Sequence, residues 1–440
     1  MQSIQAYYKS ITMISAVVVL LLLGGKRTWA QGTGPDFFTP VDMAIRSNGT
    51  LLVIDQHTRK RSVVRVDPLT GNRTTLSDDA MGGGQVFAEP SGIVVENDQF
   101  VLVVDEAIDS VLRVNVITGD RVLISGCPQE PDPCPVPLVG AGPGFDNPVG
   151  IAIGPDGTIV VVDVTLAALI RVDAVTGDRT IVSGAGVGTG PAMLAPRDVV
   201  SDGAGGWFVT DEGLNAVFRI DPVAGTRAIV SDAVTGIGPA FRFPEGIDMA
   251  IDGALLVTDA FASALIRVDP FTGDRAVMSS ATMGIGPTLL LPVGVEVAAD
   301  GSAFVVDQSY LAIFQVNTTT GDRTVTSRAP SMSISPPSGR YVNGQTFDLA
   351  LIAIGAGNMA INITTTLNDA DVLPILMPCL AQSPLPGGGV AIRCPNAGGL
   401  LGLTPGRHVL QVGLALFDNV NLVTSPRLTN EVVWEILIAP

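Results

Sequence analysis

The sequence is poor in the residues that most metal and nucleic-acid sites use. Its 440 residues include two histidines and four cysteines, and neither close cysteine pair has the two-residue spacing typical of zinc sites. Only 25 Lys and Arg stand against 42 Asp and Glu, which gives a net charge of −17. Nucleic acid is therefore not an expected partner, because phosphate backbones bind through cationic side chains.

Long apolar runs are also scarce, and the one present lies near the N terminus. Ile11 to Leu23 is shorter than the roughly 20 apolar residues that a membrane span requires. We interpret residues 1–30 as a secretory signal cleaved before Gln31, with an uncleaved anchor as the alternative because Lys26 and Arg27 lie close to the cut. The mature chain then has a net charge of −20, no membrane span and a secreted, periplasmic or cell-surface location.

The cysteines fall into two close pairs, Cys127 with Cys134 and Cys379 with Cys394. Four cysteines allow three pairings, and an exported chain in an oxidising compartment is expected to bridge them. Proximity in sequence favours the two close pairs as disulfides.

Three marks recur six times between residues 37 and 327: a proline that opens a strand, an aspartate fifteen residues later, and a glycine turn. The prolines are Pro40, Pro90, Pro148, Pro196, Pro244 and Pro292; the aspartates are Asp55, Asp105, Asp163, Asp211, Asp259 and Asp307; the glycines are Gly71, Gly119, Gly177, Gly225, Gly273 and Gly321. Self-similarity at this period is typical of repeat architectures. The one long interval contains the Cys127–Cys134 segment as an insertion.

Each repeat contains four short β-branched runs. In the third repeat these are Pro148–Ile153, Thr158–Asp163, Leu169–Asp173 and Thr180–Ser183, separated by Gly and Asp turns. One such meander cannot bury both of its faces alone, so six of them stack around an axis. The sequence predicts an all-β fold, a six-bladed β-propeller of four-stranded blades.

The last repeat reads Pro292-Val-Gly-Val-Glu-Val, Asp300-Gly, Ala303-Phe-Val-Val-Asp307 and Ile313-Phe-Gln-Val-Asn317. These segments resemble the NHL repeat, and the resemblance covers all six units, about two thirds of the chain. It implies a six-bladed propeller, related to gluconolactonase and paraoxonase type hydrolases and to streptogramin lyases, but no particular activity. The lyase histidines are missing apart from His57, and the channel residues of the calcium hydrolases do not match position by position.

The repeat stops at Arg328, and the rest of the chain reads as a small all-β domain. Its predicted strands are Thr346–Leu351, Met359–Thr364, Gly389–Arg393, His408–Val412 and Val432–Leu437. We expect a linker at 328–340 and an immunoglobulin-like β-sandwich at 341–440, after a propeller at 31–327. Trp434 is interpreted as a core ring and His408 as a strand-end residue.

Charges repeated in every blade are interpreted as structural, because an active site has to break the sixfold symmetry. This applies to the six aspartates and to the arginines that follow the glycine turns, Arg73, Arg121, Arg179, Arg227, Arg275 and Arg323. We expect turn capping and ion pairing from both sets. Trp207 lies in a strand and is expected in the core.

Residues that differ between blades indicate the functional face. Meander topology predicts the blade-to-blade connections and the residues after each aspartate on one face, opposite the Thr-Gly turns, where binding loops on a rigid frame are usual. The candidate binding residues are Gln56, His57, Glu106, Arg197, Glu212, Glu245 and Gln308. His57 is the candidate general base, being the propeller's only imidazole, with a solvated loop residue as the alternative.

Acidic residues also break the repeat along the first strands of the blades. Asp42, Asp198, Glu245, Asp248 and Glu296 are the candidate ligands of Ca²⁺, which takes six to eight oxygens. The alternative is an Arg197–Glu245 salt bridge with the other acids solvated in the channel.

The sequence therefore favours an exported binding or interaction module, with an unidentified protein, glycan or small molecule as its partner. The alternative is a calcium-dependent hydrolase of lactonase or esterase type, or a lyase, with its site in the central channel. The enzyme requires at least three channel acids to converge on one point, whereas the module requires only an exposed patch. No Gly-x-Ser-x-Gly elbow, histidine pair or phosphate loop is present.

Overall fold

The computed structural model describes residues 32–58, 60–127 and 138–328 with their side chains, and beyond them the backbone of nine strands between residues 331 and 438. No helix forms in these parts of the chain, so they contain no apolar helix that could span a membrane. The proposed signal segment lies outside the described residues. The propeller belongs to one compact unit, Trp29–Ala329.

Six antiparallel sheets, each of four consecutive strands, form the blades. Blade one contains β1 (Pro40–Ile45), β2 (Leu51–Asp55), β3 (Ser62–Val66) and β4 (Arg73–Ser77); blade two β5 (Pro90–Val95), β6 (Phe100–Asp105), β7 (Ser110–Asn115) and β8 (Arg121–Gly126); blade three β9 (Pro148–Ile153), β10 (Ile159–Asp163), β11 (Ala168–Val172) and β12 (Arg179–Ser183). Blade four contains β13 (Pro196–Ser201), β14 (Trp207–Asp211), β15 (Ala216–Ile220) and β16 (Arg227–Ser231); blade five β17 (Pro244–Met249), β18 (Leu255–Asp259), β19 (Ala264–Val268) and β20 (Arg275–Ser279); blade six β21 (Pro292–Val297), β22 (Ala303–Asp307), β23 (Ala312–Val316) and β24 (Arg323–Arg328).

The first strands of the blades form a closed ring around the axis. Each contacts the first strand of the next blade, and β21 contacts β1. Apolar side chains fill the space between neighbouring blades, as Leu52 and Ile54 do against Val101 and Val103. Trp207 is buried in such a core, as predicted. The predicted all-β, six-bladed propeller is confirmed.

The six repeated aspartates cap loops, as predicted, and all six are fully buried. Asp259 accepts hydrogen bonds from the backbone N–H groups of Arg242 (2.7 Å), Phe243 (3.1 Å) and Ala262 (2.9 Å). A carboxylate that receives several backbone donors fixes the segments that carry them. Each aspartate thus holds the segment before the strand-opening proline and the turn after its own strand.

The six repeated arginines make their shortest hydrogen bonds outside their own turn. Arg179 donates from Nη1 to the Ser125 hydroxyl of the preceding blade at 2.6 Å, and Ser125 donates to the Gly177 carbonyl at 2.6 Å. The same arrangement joins blade six to blade one, where Ser327 donates to Gly71 and accepts from Arg73, both at 2.8 Å. Three of the arginines also cap their own turn through long bonds to its glycine carbonyl, as Arg179 does with Gly177 at 3.4 Å.

The blade-to-blade connections begin beside the Thr-Gly turn of the following blade. Gly82 has a φ of 80°, and a Cβ atom there would lie 2.0 Å from the Gly119 carbonyl oxygen. The Arg121 N–H donates to the Gly83 carbonyl at 2.8 Å. The prediction that the glycine-rich connections lie opposite the Thr-Gly turns was wrong for this part of the connection, because backbone packing requires the two to touch.

The strands after the propeller form two sheets in a second unit. They are β25 (Ser331–Ser335), β26 (Gly339–Val342), β27 (Leu349–Ile354), β28 (Ala360–Leu367), β29 (Ala370–Asp371), β30 (Ala381–Leu385), β31 (Gly389–Cys394), β32 (Gly406–Phe417) and β33 (Leu428–Ile438). The sheet orders are β25-β27-β31-β30 and β26-β33-β32-β28-β29. The immunoglobulin-like arrangement stays a prediction, and the side chains of Trp434 and His408 lie outside the described residues.

The predicted disulfides also stay predictions. Cys127 is buried at the end of blade two. Cys134 and Cys379 lie outside the described residues, and Cys394 is described only as part of the β31 backbone.

Candidate functional site

A cavity of about 210 Å³ opens on the axis and is lined by residues of all six blades. The lining positions are the first and second residues after each strand-opening proline and, in three blades, the residue after the repeated aspartate. The polar lining residues are Asp42, Gln56, Ser91, Glu106, Arg197, Asp198, Glu245 and Gln308. We call this the axial cavity.

Five of the seven predicted binding residues line the axial cavity: Gln56, Glu106, Arg197, Glu245 and Gln308. Glu212 reaches it through an ion pair with Arg197. His57 packs against the Phe38 ring, with 5.1 Å between ring centroids, and is not among the lining residues. The structure therefore brings most of the set together but separates the candidate general base from it.

Backbone hydrogen bonds hold the lining loops in place. The Gln56 N–H donates to Thr39 (2.9 Å) and the Glu106 N–H to Glu89 (3.0 Å), so the residue after each aspartate is tied to the residue before the proline. The buried aspartate next to it fixes the same two segments. The side chains of the axial cavity thus project from a rigid frame.

Arg197 is held by two glutamates. Its Nη2 lies 2.7 Å from Glu212 Oε1 and its Nε 2.6 Å from Glu212 Oε2, while Glu245 Oε2 is 3.9 Å from Nε. The predicted Arg197–Glu245 salt bridge is present, but Glu212 is the closer partner. The charge-assisted hydrogen bond from Nη2 to Glu212 Oε1 orients the guanidinium, whereas Nε and Glu212 Oε2 are close but make no hydrogen bond.

Glu106 and Glu245 are acids in a confined setting. Burial raises the pKa of Glu245 to about 7, while Arg197 lowers it and Glu212 raises it further. Burial likewise raises the pKa of Glu106 to about 7, with Glu89 adding to the rise. Glu106 accepts a hydrogen bond from the Gln56 amide at 3.1 Å across the boundary between blades one and two. Near neutral pH these two carboxyls change charge readily.

A second set of acids, Asp42, Asp198, Asp248 and Glu296, joins neighbouring first strands. Each accepts a backbone N–H bond from the next blade, from Ile93 (2.9 Å), Ile247 (2.9 Å), Val297 (2.6 Å) and Ile45 (3.5 Å) respectively. The expectation that these acids are simply solvated was wrong. They satisfy N–H groups that the innermost strand of a blade leaves without a strand partner.

The charges of this second set also interact with one another. Burial and then repulsion from Asp198 raise the pKa of Asp42 well above its ordinary value, and burial and then repulsion from Asp248 do the same for Glu296. Burial raises the pKa of Asp198 to about 7 and that of Asp248 to about 6. Four carboxyls in mutual reach thus favour holding protons.

The candidate calcium set stays a prediction with little geometric support. Across the residues described with side chains, no group of three or more His, Cys, Asp or Glu is arranged to hold a metal ion. Four of the five predicted ligands direct a carboxylate oxygen to a backbone N–H of the next blade. Ca²⁺ requires six to eight oxygens around one point, which this arrangement does not provide.

An aromatic group on the same face was not predicted as part of the site. Blade five carries Phe243 stacked on Phe261, with 4.5 Å between centroids; blade one carries Phe38 against His57; blade six carries Tyr310. His57 and Phe261 occupy the same position, two residues after the repeated aspartate. A comparison of that position across the six repeats would have identified this aromatic group from the sequence.

No protein-family model matches this sequence, and no curated protein is similar to it. Among solved structures, virginiamycin B lyase from Staphylococcus aureus is 14% identical over 81% of this chain and 95% of its own, with a TM-score of 0.46. A gluconolactonase from Xanthomonas campestris is 13% identical over 68% and 88%, with a TM-score of 0.47. A chain of a nidogen/laminin complex is 16% identical over 66% and 95%, with a TM-score of 0.45. At these values the likeness concerns the fold and not the activity.

Proposed function

We propose that this protein is a binding module that holds its ligand at the axial cavity. The observation that carries the proposal is the break in symmetry: unlike polar side chains converge at one cavity, whereas the repeated Asp and Arg residues serve the frame. Convergent polar groups in a concave site on a rigid scaffold are the usual form of a ligand site.

The chemistry of the cavity supports binding over covalent catalysis. The Ser91 hydroxyl donates to the Pro148 and Val149 carbonyls (3.3 and 3.2 Å), and His57 is not among the lining residues. An activated hydroxyl requires a base within hydrogen-bond reach. Arg197 is already oriented by Glu212, which suits a fixed recognition surface.

The second candidate is a hydrolase or lyase with its site in the same cavity. Glu106 and Glu245 favour it, because carboxyls with a pKa of about 7 suit general acid–base catalysis. In either case we infer that residues 1–30 direct export, and that the mature chain works in a secreted, periplasmic or cell-surface setting where its cysteines pair.

The test is a thermal-shift screen of residues 31–440 against short peptides, oligosaccharides, amines, lactones and esters. We expect a ligand that raises the melting temperature of the wild type and of Arg267→Ala but not of Glu245→Gln. Arg267 is the matched control because its ion pair with Asp252 is exposed and lies outside the cavity lining. Shifts that persist in Glu245→Gln, or a panel without any shift, contradict the proposal; turnover of a lactone or ester that is lost in Glu245→Gln supports the enzyme.

A further inference from the structure

The axial cavity carries more carboxylate than cation. Asp42, Glu106, Asp198 and Glu245 line it, and Arg197 is the one basic side chain among its lining residues. That guanidinium donates a hydrogen bond from Nη2 to Glu212, which adds a further carboxylate beside the cavity. The site therefore has an excess of negative charge whenever its acids are ionised.

Two of these carboxylates, Glu106 and Glu245, share Arg197 as a cationic neighbour, but its guanidinium lies closer to Glu212. Glu245 lies 3.9 Å from Arg197 Nε, at the limit of an ion pair, and the hydrogen bond to Glu106 comes from the neutral Gln56 amide. Asp42 and Asp198, in contrast, accept hydrogen bonds from backbone N–H groups of the next blades. Glu106 and Glu245 are thus the groups left to meet a ligand.

The surroundings of the cavity differ between the blades. At the position two residues after the repeated aspartate, blades five and one carry rings, Phe261 and His57. The other four blades carry small residues there: Ala107, Thr165, Gly213 and Ser309. The Phe261 ring is 62% exposed and stacks on Phe243, and Phe38 beside His57 is 45% exposed. Blades five and one thus carry exposed aromatic rings, whereas blade four carries exposed aliphatic side chains, Leu194 and Leu214.

We propose, on the basis of the binding function above, that the ligand is an organic cation: an ammonium or guanidinium group that enters between Glu106 and Glu245, joined to an apolar or aromatic body that lies on Phe261. Charge-assisted hydrogen bonds to two carboxylates fit the first part, and stacking on an exposed ring fits the second. A cavity of about 210 Å³ admits such a head group and leaves the body outside.

Proton linkage gives this ligand class a signature that a neutral ligand lacks. The groups that face Glu245 are Arg197, Glu212, Asp198 and Glu106, and those that face Glu106 are Glu89, Gln56, Arg197 and Asp105. A cation binds the ionised carboxylates, so its binding releases the protons that burial retains. Affinity then rises as the pH rises through about 7, the pKa of both groups.

The test is calorimetry on residues 31–440 with 2-phenylethylamine, whose amine stays protonated between pH 6 and 8, beside ethylamine and the neutral 2-phenylethanol. We expect 2-phenylethylamine to bind at least ten times more tightly than the alcohol and several times more tightly at pH 8 than at pH 6. Glu106→Gln and Glu245→Gln each weaken the amine about tenfold and flatten the pH dependence. Phe261→Ala weakens 2-phenylethylamine but not ethylamine, and Arg267→Ala changes neither.

Equal binding of amine and alcohol, or no amine binding at 10 mM, overturns the cation assignment, as does undiminished amine binding in both Gln variants. The thermal-shift screen distinguishes failure of this inference from failure of the proposed binding function. If the shifts of oligosaccharides or lactones disappear in Glu245→Gln, the binding module stands while this inference fails. If Glu245→Gln leaves the melting-temperature shift of every ligand class unchanged, both the binding module and this inference fail.

Discussion

The Asp198 carboxylate accepts a hydrogen bond from the Ile247 N–H of the next blade at 2.9 Å, and Asp42 does the same with Ile93 at the same distance. In four other blades this position is glycine, where the neighbouring first strand comes close: a Cβ on Gly92 would lie 2.3 Å from the Val149 carbonyl oxygen. The two aspartates therefore add interblade hydrogen bonds that a glycine at this position cannot make, whereas blades five and six make theirs through Asp248 and Glu296.

Because of the axial acids, Asp42, Asp198, Asp248 and Glu296, we expect stability to fall as the pH rises from 5 to 8. Burial raises the pKa of Asp198 to about 7 and that of Asp248 to about 6, so the folded state favours their protonated forms. Stability from a raised carboxyl pKa is complete below the unfolded value of about 4 and is lost as the pH passes the folded value. We expect the free energy of unfolding in urea to drop by roughly 1–3 kcal/mol over this range.

Asp248→Asn is the check on that prediction, since it removes one titrating group while keeping an oxygen acceptor. Its pH profile should be flatter than that of the wild type. A wild-type stability that increases between pH 5 and 8 would show that the axial acids are not held protonated.

Asp259→Ala should destabilise the fold by roughly 1–3 kcal/mol, because it leaves buried backbone donors without their acceptor. Three N–H groups, those of Arg242, Phe243 and Ala262, lose that partner. The exposed Asp252, which pairs with Arg267, is the matched control, and Asp252→Ala should cost less than about 1 kcal/mol. Equal melting curves for Asp259→Ala and the wild type would refute the capping role.

The boundary between blades six and one should be no stronger or weaker than the others. Ser327→Ala removes the bond to Gly71 and the acceptor of Arg73, and Ser183→Ala removes the equivalent bonds to Gly225 and Arg227. We expect both variants to lose about the same stability, roughly 1–3 kcal/mol in urea unfolding. A much larger loss for Ser327→Ala would mean that closure of the ring limits stability.

Calcium should not raise the melting temperature of residues 31–440 relative to EDTA, since no three acids converge within the described propeller. A bound ion at about 100 times its dissociation constant would add about 2.7 kcal/mol. A clear rise with millimolar Ca²⁺ that disappears in Glu245→Gln would instead support the calcium-dependent enzyme.

The repeat made the fold predictable, because proline, aspartate and glycine at constant offsets mark the same places in all six blades. The strand bounds follow closely: β9 starts at Pro148 and β10 ends at Asp163, as the third repeat predicts. The buried role of the aspartates was predictable for the same reason. A side chain that six loops require in common belongs to the frame.

Side-chain contacts were harder to predict than strand positions, both within a blade and between blades. The repeat places Arg197 and Glu245 at equivalent positions, so their proximity was expected, but the closer Arg197–Glu212 pair depends on side-chain reach across a loop. The same applies to Arg179, which passes its own turn to reach Ser125. Sequence offsets give the register of a strand and not the direction of a long side chain, which packing decides.

The contacts that close the ring between blades six and one bear on the order of the blades along the chain. Every blade is built from four consecutive strands, and the junction of β24 with blade one uses the same Ser–Gly–Arg contacts as the internal junctions. The boundaries therefore do not distinguish the first blade from the last, and a circular permutant starting at another connection would rebuild all six. What such a rotation must preserve is the cyclic order of the blades, because it alone sets Glu106, Arg197 and Glu245 around one cavity.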